Sequence, residues 1–280
     1  MAGSTRACAS DEPPMKKFLG VGVTLVTLVV AVAAPWLAPH DPLRADLVQS
    51  LKPPGTPGHL LGTDQLGRDL LARVLHGARL ALFIGVCTVL LTAVVGGLLG
   101  LVAGFVERWP SAVLMRIADV QLSFPFILLA MTINAIVGLG LRNIILSLSA
   151  AGWVVYARVV RGEVLSVKQR EYVHAAAALG VGRARLLFRH VLPNVAPSIV
   201  VVASLQFSQF IVAEAAISFL GFGVQPPTPA WGSMLSESRD FLYVAWWLAA
   251  FPGAALALTA LGVNLLGDWL RDRLDPKLRV

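Results

Sequence analysis

Long runs of apolar residues, separated by polar segments, set the pattern of this chain. Each of six runs has 17 residues or more, and about 17 residues is the shortest helix that crosses a bilayer. The pattern therefore predicts an all-α polytopic membrane protein with six transmembrane helices. The runs cover residues 18–37, 80–105, 113–137, 144–160, 197–219 and 244–266.

The first run permits two interpretations. Lys16 and Lys17 precede it, and residues 31–33 read A-V-A, which resembles a signal-peptidase site. The run has about 20 residues, however, whereas the apolar core of a signal peptide has about 7 to 15. We expect an uncleaved first helix that follows a start at Met1 or Met15, and a cleaved signal is the alternative.

The segment between the first two runs changes character at residue 59. Residues 39–58 are rich in proline and glycine, which predicts an irregular connection. Apolar side chains then recur at helical spacing from Leu70 to Ala78, with polar side chains opposite them. We expect an amphipathic helix at the membrane surface before the second span. Its polar face holds Arg68, Asp69, Arg73 and His76, with i,i+4 pairs predicted for Asp64–Arg68 and Asp69–Arg73.

The most basic loop of the chain, residues 166–194, is predicted to form a helix-turn-helix. Ser166 and Gln169 have the spacing of a capping box, so a helix is expected from Val167 to Leu179. Gly180 can adopt the left-handed conformation that ends a helix. A second helix is expected over residues 183–190, and Pro193 is expected to stop it.

Composition and charge support a membrane protein with a defined orientation. Hydrophobic residues make up 56% of the chain and charged residues 14%, whereas about a quarter of a soluble protein is charged. The net charge of +7 does not indicate nucleic-acid binding, because the basic residues lie between the apolar runs and form no basic stripe with aromatic residues. Counted on alternate sides of the six runs, Lys and Arg number sixteen against seven. This predicts both termini and the 166–194 loop in the cytoplasm.

These patterns divide the chain into five predicted parts: a cytoplasmic tail 1–17, a first transmembrane helix 18–38, an extracytoplasmic linker with its amphipathic helix 39–79, a transmembrane core 80–267, and a cytoplasmic tail 268–280. Cys8 and Cys87 lie in unlike surroundings, and no Cys/His spacing predicts a metal site.

One apolar run carries polar residues on one face. Gln206, Phe210 and Glu214 follow at i, i+4 and i+8, which places them on one side of a helix. An ionised group at bilayer depth costs about 3 kcal/mol, so Glu214 needs a partner or a wet cavity. Two hypotheses stay open: the three residues line a translocation path, or they form hydrogen bonds that hold the helices together.

Several motifs resemble one family of transporters. The 166–194 loop is similar to the EAA loop of ABC importer permeases, with His174-Ala175-Ala176 in place of the usual Glu-Ala-Ala, followed by Gly180 and Leu192-Pro193. The string L-G-T-D-Q-L-G-R-D at residues 61–69 and the outer loop at 219–232 resemble the permeases of the dipeptide, oligopeptide and nickel importer group.

The resemblance implies a transmembrane permease subunit with the type I importer fold in a bacterial-type plasma membrane. It implies a second permease, two ATPase subunits and an extracytoplasmic binding protein as partners, with ATP and Mg²⁺ bound by the ATPases. It assigns contact with the ATPase to Glu171, His174, Ala175, Ala176, Gly180, Leu192 and Pro193.

The chain itself contains no P-loop motif and no motif of a hydrolase, so neither ATP binding nor catalysis is predicted for it. The expected function is ATP-driven import of peptides or a related small solute, such as nickel, a metal chelate or a glutathione-like molecule. The alternative is a membrane protein without a transport role, such as an intramembrane enzyme that uses Glu214 and a histidine.

Overall fold

The computed structural model describes residues 14–106 and 109–274, and this part of the chain is helical with irregular connections. Residues 1–13 and 275–280, which belong to the two predicted tails, lie outside it, and so do residues 107–108. The helices are α1 (Pro14–Leu37), α2 (Leu70–Phe105), α3 (Trp109–Leu122), α4 (Phe126–Val137), α5 (Leu141–Lys168), α6 (Glu171–Ala178), α7 (Arg183–Arg185), α8 (Leu192–Phe219), α9 (Trp231–Glu237) and α10 (Trp247–Leu274).

Five continuous helices are long and apolar enough to cross a membrane: α1, α2, α5, α8 with the turns that precede it, and α10. The predicted span 113–137 is instead broken into α3 and α4, which meet at an angle of 95°. Proline causes this break, because Pro125 has no N–H group and its ring disfavours helical geometry at Phe124. The bent pair supplies the sixth span only if its two helices cross the membrane together.

The second span begins ten residues earlier than predicted. The expected surface helix is not a separate element, because α2 runs without interruption from Leu70 to Phe105. Asp69 caps its first turn by accepting a hydrogen bond from the N–H of Ala72 at 2.9 Å. Gly77 leaves room for Trp231, which packs directly on it and donates its indole N–H to the carbonyl of Val74 at 3.0 Å.

Close contact between α2 and α5 forms the centre of the fold. Gly96, Gly100 and Gly104 recur every four residues along α2 and face α5. A Cβ at Gly100 would lie 2.6 Å from the carbonyl oxygen of Ala157, and one at Gly104 would lie 2.7 Å from the Cβ of Val164. The backbones therefore approach as closely as small residues permit in membrane helix pairs.

The predicted helix-turn-helix is present, with different boundaries. Helix α5 continues to Lys168, so Val167 lies in its last turn and the capping box at Ser166 and Gln169 does not start a helix. Helix α6 begins after Arg170 and ends before Gly180, whose φ of +81° confirms the predicted left-handed conformation.

Pro193 does not stop the second helix. A π-helical turn at Leu186–Val191 follows α7 and continues directly into α8. The N–H of Leu192 bonds to the carbonyl of Leu187, five residues back. This wider turn accommodates a proline with no N–H, so that the helix continues without a break.

Candidate functional site

An irregular structure covers the end of the bundle where α2 starts and α8 stops. It consists of residues 38–69 and 220–246, and we call it the collar. Its centre is a cluster of four charges, of which Asp64, Arg68 and Arg73 are buried and Glu237 is partly exposed. Asp64 Oδ2 contacts Arg68 Nε at 2.6 Å and Arg73 Nη1 at 3.1 Å. Glu237 Oε2 contacts Arg68 Nη2 at 3.1 Å and Arg73 Nη2 at 3.3 Å.

The cluster corrects the prediction for the polar face of the helix. Arg68, Asp69 and Arg73 are buried against other parts of the protein, and they do not face the membrane surface. The Asp64–Arg68 pair forms as predicted, whereas Arg73 pairs with Asp64 and Glu237. Two positive and two negative side chains thus balance each other, and they join the start of α2 to α9 on the other side of the collar.

The string at residues 61–69 folds into the tight turn that holds these charges. Asp64 Oδ1 accepts hydrogen bonds from the N–H groups of Leu66 and Arg68, both at 2.9 Å. Gly67 has a φ of +71°, and its Cα lies so close to the carbonyl of Asp46 that a side chain has no room. Glycine is therefore required here by both backbone conformation and space.

The predicted polar face of α8 is buried inside the chain. Glu214 is 2% exposed and accepts a hydrogen bond from the hydroxyl of Ser218 at 2.6 Å. The same hydroxyl accepts the N–H of Val224 at 3.2 Å, so Glu214 anchors the loop that follows its own helix. Phe210 packs on Gly152 of α5 and near Phe126 of α4.

Of the three predicted path residues, Gln206 lines a cavity. The cavity has a volume of about 130 Å³ and lies between the α3–α4 bend, α5 and α8. Gln209 and Gln121 also line it. Gln121 is fixed there, since its Nε2 donates to the carbonyl of Ala151 at 2.8 Å and its Oε1 accepts the indole N–H of Trp153 at 2.9 Å. We did not predict Gln121 or Gln209, although an amide in an apolar run is itself a signal.

At the other end of the bundle, residues 169–182 form a loop around α6, which we call the α6 loop. The residues assigned there by resemblance divide into two groups. Glu171, His174, Ala175 and Gly180 are exposed, and Leu192 and Pro193 lie at the start of α8. Ala176 is buried with Val173 against α5 and the start of α8, so it does not belong to the exposed face. Leu179, which we did not predict, is 85% exposed.

Comparisons with known proteins give a consistent result. Residues 96–280 match the family described as "Binding-protein-dependent transport system inner membrane component". The chain is 45% identical over 265 residues to the di/tripeptide transport system permease protein DppC of Pseudomonas aeruginosa, covering 92% of this chain and 88% of the relative. It is 43% identical over 256 residues to the glutathione transport system permease protein GsiD of Pectobacterium atrosepticum, covering 91% and 85%. It is 40% identical over 255 residues to the probable D,D-dipeptide transport system permease protein DdpC of Escherichia coli, also covering 91% and 85%.

Proposed function

This chain belongs to the family of inner-membrane components of binding-protein-dependent transport systems, and from that premise we propose that it is the permease subunit of an ATP-driven importer of short peptides. The observation that carries the solute class is the set of relatives at 40 to 45% identity, whose names specify di- and tripeptides, D,D-dipeptides and glutathione. All of these solutes contain amide groups. None of these three names specifies nickel or a metal chelate, which are the other solutes expected from the sequence.

The glutamine-lined cavity supports a peptide solute. The amide of Gln121 is already bonded to Ala151 and Trp153. Gln206 and Gln209 also line the cavity, among mostly apolar residues, and a glutamine amide both donates and accepts hydrogen bonds. Such groups can pair with the peptide bonds of a passing solute without selecting one side-chain type. Gln206 is therefore our candidate for the path. Phe210 lies behind the cavity wall, where it packs on Gly152 and near Phe126. Glu214 holds the loop at the end of α8, and we assign it a supporting role.

We propose an orientation from the charge count. Lys and Arg are concentrated on the side of the α6 loop, sixteen against seven, which supports a cytoplasmic α6 loop and cytoplasmic termini. The collar then lies outside the cytoplasm, where a binding protein can deliver the solute.

A second permease subunit, different from this one, would complete the path. Among the described residues, α3 buries only Ser111 and Ala118, and α4 buries only Ala130 and Asn134. Both helices expose large apolar side chains, and Phe124 at their bend is exposed beside the cavity. The solute path is thus covered on one side by this chain, and the exposed side is where a partner permease would close it.

Transmission from two ATPase subunits is assigned to the exposed face of the α6 loop, which includes Glu171, His174, Ala175 and Gly180. Val173 and Ala176, on the opposite face, pack with Val164 and Val167 of α5 and with Val195 of α8. A displacement of α6 by an ATPase would therefore move the ends of both spans. The ATPases supply ATP and Mg²⁺ binding, because this chain has no P-loop.

The competing hypothesis of an intramembrane enzyme is not favoured. The relatives are named as permease components of transport systems, and none of those named here carries an enzyme name. Glu214 also has its hydrogen bond from Ser218, which gives the carboxyl group a role without catalysis.

Uptake by the complete transporter tests this proposal. Cells without peptide permeases of their own would express the whole system and receive a labelled dipeptide, glutathione or Ni²⁺. We expect ATP-dependent dipeptide uptake that disappears when the P-loop lysine of the ATPase is replaced. Uptake of Ni²⁺ alone would reject the peptide assignment, and failure to co-purify with any ATPase would reject the permease assignment.

A further inference from the structure

Three side chains in the collar form a cluster that the permease function does not explain. Asp69 is fully buried, and its Oδ1 lies 2.8 Å from His59 Nδ1 and 3.9 Å from His40 Nδ1. The two imidazole rings lie against each other with centroids 4.9 Å apart. One ligand atom from each of the three side chains lies within 4.8 Å of the other two.

We propose that His40, His59 and Asp69 bind a divalent transition metal, Zn²⁺ in the first instance, and that the metal fastens the collar to the start of α2. Two imidazoles and one carboxylate are a donor set that Zn²⁺ commonly takes, with metal–ligand distances near 2.1 Å. In a tetrahedral site of that size the ligand atoms are about 3.4 Å apart. The distances of 2.8 Å and 3.9 Å to Asp69 Oδ1 each differ from this value by about 0.6 Å or less. The two imidazole nitrogens lie within 4.8 Å of each other, so they would approach by up to about 1.4 Å when the ion binds.

The hydrogen bond between His59 and Asp69 does not account for the third member. At 3.9 Å, His40 is too far from the carboxylate for a hydrogen bond, yet it is within reach of a shared ion. Its side chain is 40% exposed, so it can adjust its position, and solvent can supply a fourth ligand. A bound ion would replace the proton between His59 Nδ1 and Asp69 Oδ1 and release it to water.

The carboxylate is already held in place for this role. Its second oxygen, Oδ2, accepts the N–H of Ala72 at 2.9 Å in the first turn of α2. Support of this kind from outside the ligand set orients metal ligands and contributes to affinity. Because His40 follows α1 whereas Asp69 precedes α2, the ion would connect two segments that are 29 residues apart in the chain. This role is independent of the solute that is carried.

A zinc titration tests the site. The complete transporter, purified with an affinity tag that contains no histidine and stripped by a chelator, would be titrated with ZnCl₂ in a calorimeter. We expect His40→Ala to remove one Zn²⁺ per copy of this chain, or to weaken its binding at least about ten-fold. The difference between wild type and variant is the decisive quantity, because the partner subunits have histidines of their own.

Two further measurements separate ligation from folding. His76→Ala is the matched control, since His76 lies on the same side of the molecule and bonds to the carbonyl of Ala72, outside the cluster. It should bind Zn²⁺ as wild type does. Zn²⁺ should also raise the unfolding temperature of the wild type and of His76→Ala, but not that of His40→Ala. Equal zinc binding in wild type and His40→Ala, or an equal loss in His76→Ala, would overturn the proposal.

Discussion

The collar and the α6 loop lie at opposite ends of the same helices, and they are held together by different forces. In the collar, buried charges, side chain to backbone hydrogen bonds and glycines without space for a side chain fix each segment. In the α6 loop, one face of a two-turn helix packs through Val173 and Ala176, and the other face is open.

Because of this difference, the two regions tolerate displacement to different degrees. Buried ion pairs depend strongly on geometry, because a displaced partner leaves an uncompensated charge in a low dielectric. Apolar packing tolerates small displacements and has no directional requirement. We infer that the collar keeps one shape, whereas the α6 loop can move together with the spans on which it packs.

Breaking the charge cluster should have the largest effect. Arg73→Met leaves Asp64 and Glu237 to share one arginine, which should lower the stability of the folded transporter by about 3 kcal/mol. Arg79→Met, which removes an exposed arginine from the same helix, should cost under about 0.5 kcal/mol. Thermal unfolding of the purified transporter measures both. Equal losses of stability in the two variants would mean that Arg73 in the charge cluster contributes no more than an exposed arginine does.

A charge on the open face of the α6 loop should affect assembly and leave folding intact. Leu179→Asp should weaken association with the ATPase at least about ten-fold, because an exposed leucine beside a partner is replaced by a carboxylate that must lose its water. Leu60→Asp, at a leucine that is 67% exposed in the collar, is the control and should leave ATPase binding unchanged. Co-purification of the ATPase gives the result, and wild-type recovery with Leu179→Asp would contradict the assigned surface.

Adding a methyl group at Gly180 tests whether the end of α6 depends on the left-handed backbone conformation of that residue. Gly180→Ala meets no neighbouring atom but forces a side chain into a φ of +81°, at a cost of about 1 kcal/mol. Hydrogen exchange of the α6 amides should become about five-fold faster. Gly182→Ala also meets no atom and has an ordinary φ of −59°, so it should exchange like wild type. Similar exchange rates of the α6 amides in both variants would mean that the left-handed conformation of Gly180 does not stabilise the end of α6.

The smallest effect is expected at the position where this chain departs from the family motif. His174 is exposed on α6, and a glutamate there restores the residue that such loops usually have. His174→Glu should change peptide uptake less than about two-fold and stability by under about 0.5 kcal/mol. A large loss of uptake would show that the histidine has a role of its own in this transporter.

Local chemistry explains which features the sequence could predict. The apolar runs predict the long helices because only helices satisfy the backbone in lipid. The left-handed turn at Gly180 follows from a glycine placed after a helical run, and Pro125 itself signals the break that divides the third span. Boundaries were less accurate, since Val167 looks like a helix start but packs as part of α5.

Contacts between residues that are far apart in the chain explain the features that the sequence did not predict. Arg73 resembles a surface residue in the sequence, because its partner Glu237 is 164 residues away. The cavity also escaped prediction, since Gln121 and Gln206 come together only after the chain bends at Pro125. The three proposed metal ligands have no recognisable spacing in the sequence, and only the folded collar brings His40 to Asp69.

The length of α2 has a consequence for how the two ends communicate. Its 36 residues make a rod of about 54 Å, well beyond the roughly 30 Å of the hydrocarbon layer. One end carries the charge cluster, and the other meets the end of α5 next to the α6 loop, where Lys168 donates to the carbonyl of Phe105 at 3.3 Å. An inclination of about 10° around the Phe105 end would swing the collar sideways by about 9 Å, given this rise per residue. We infer that α2 can act as a lever arm, on which a small displacement near the α6 loop becomes a larger displacement at the collar.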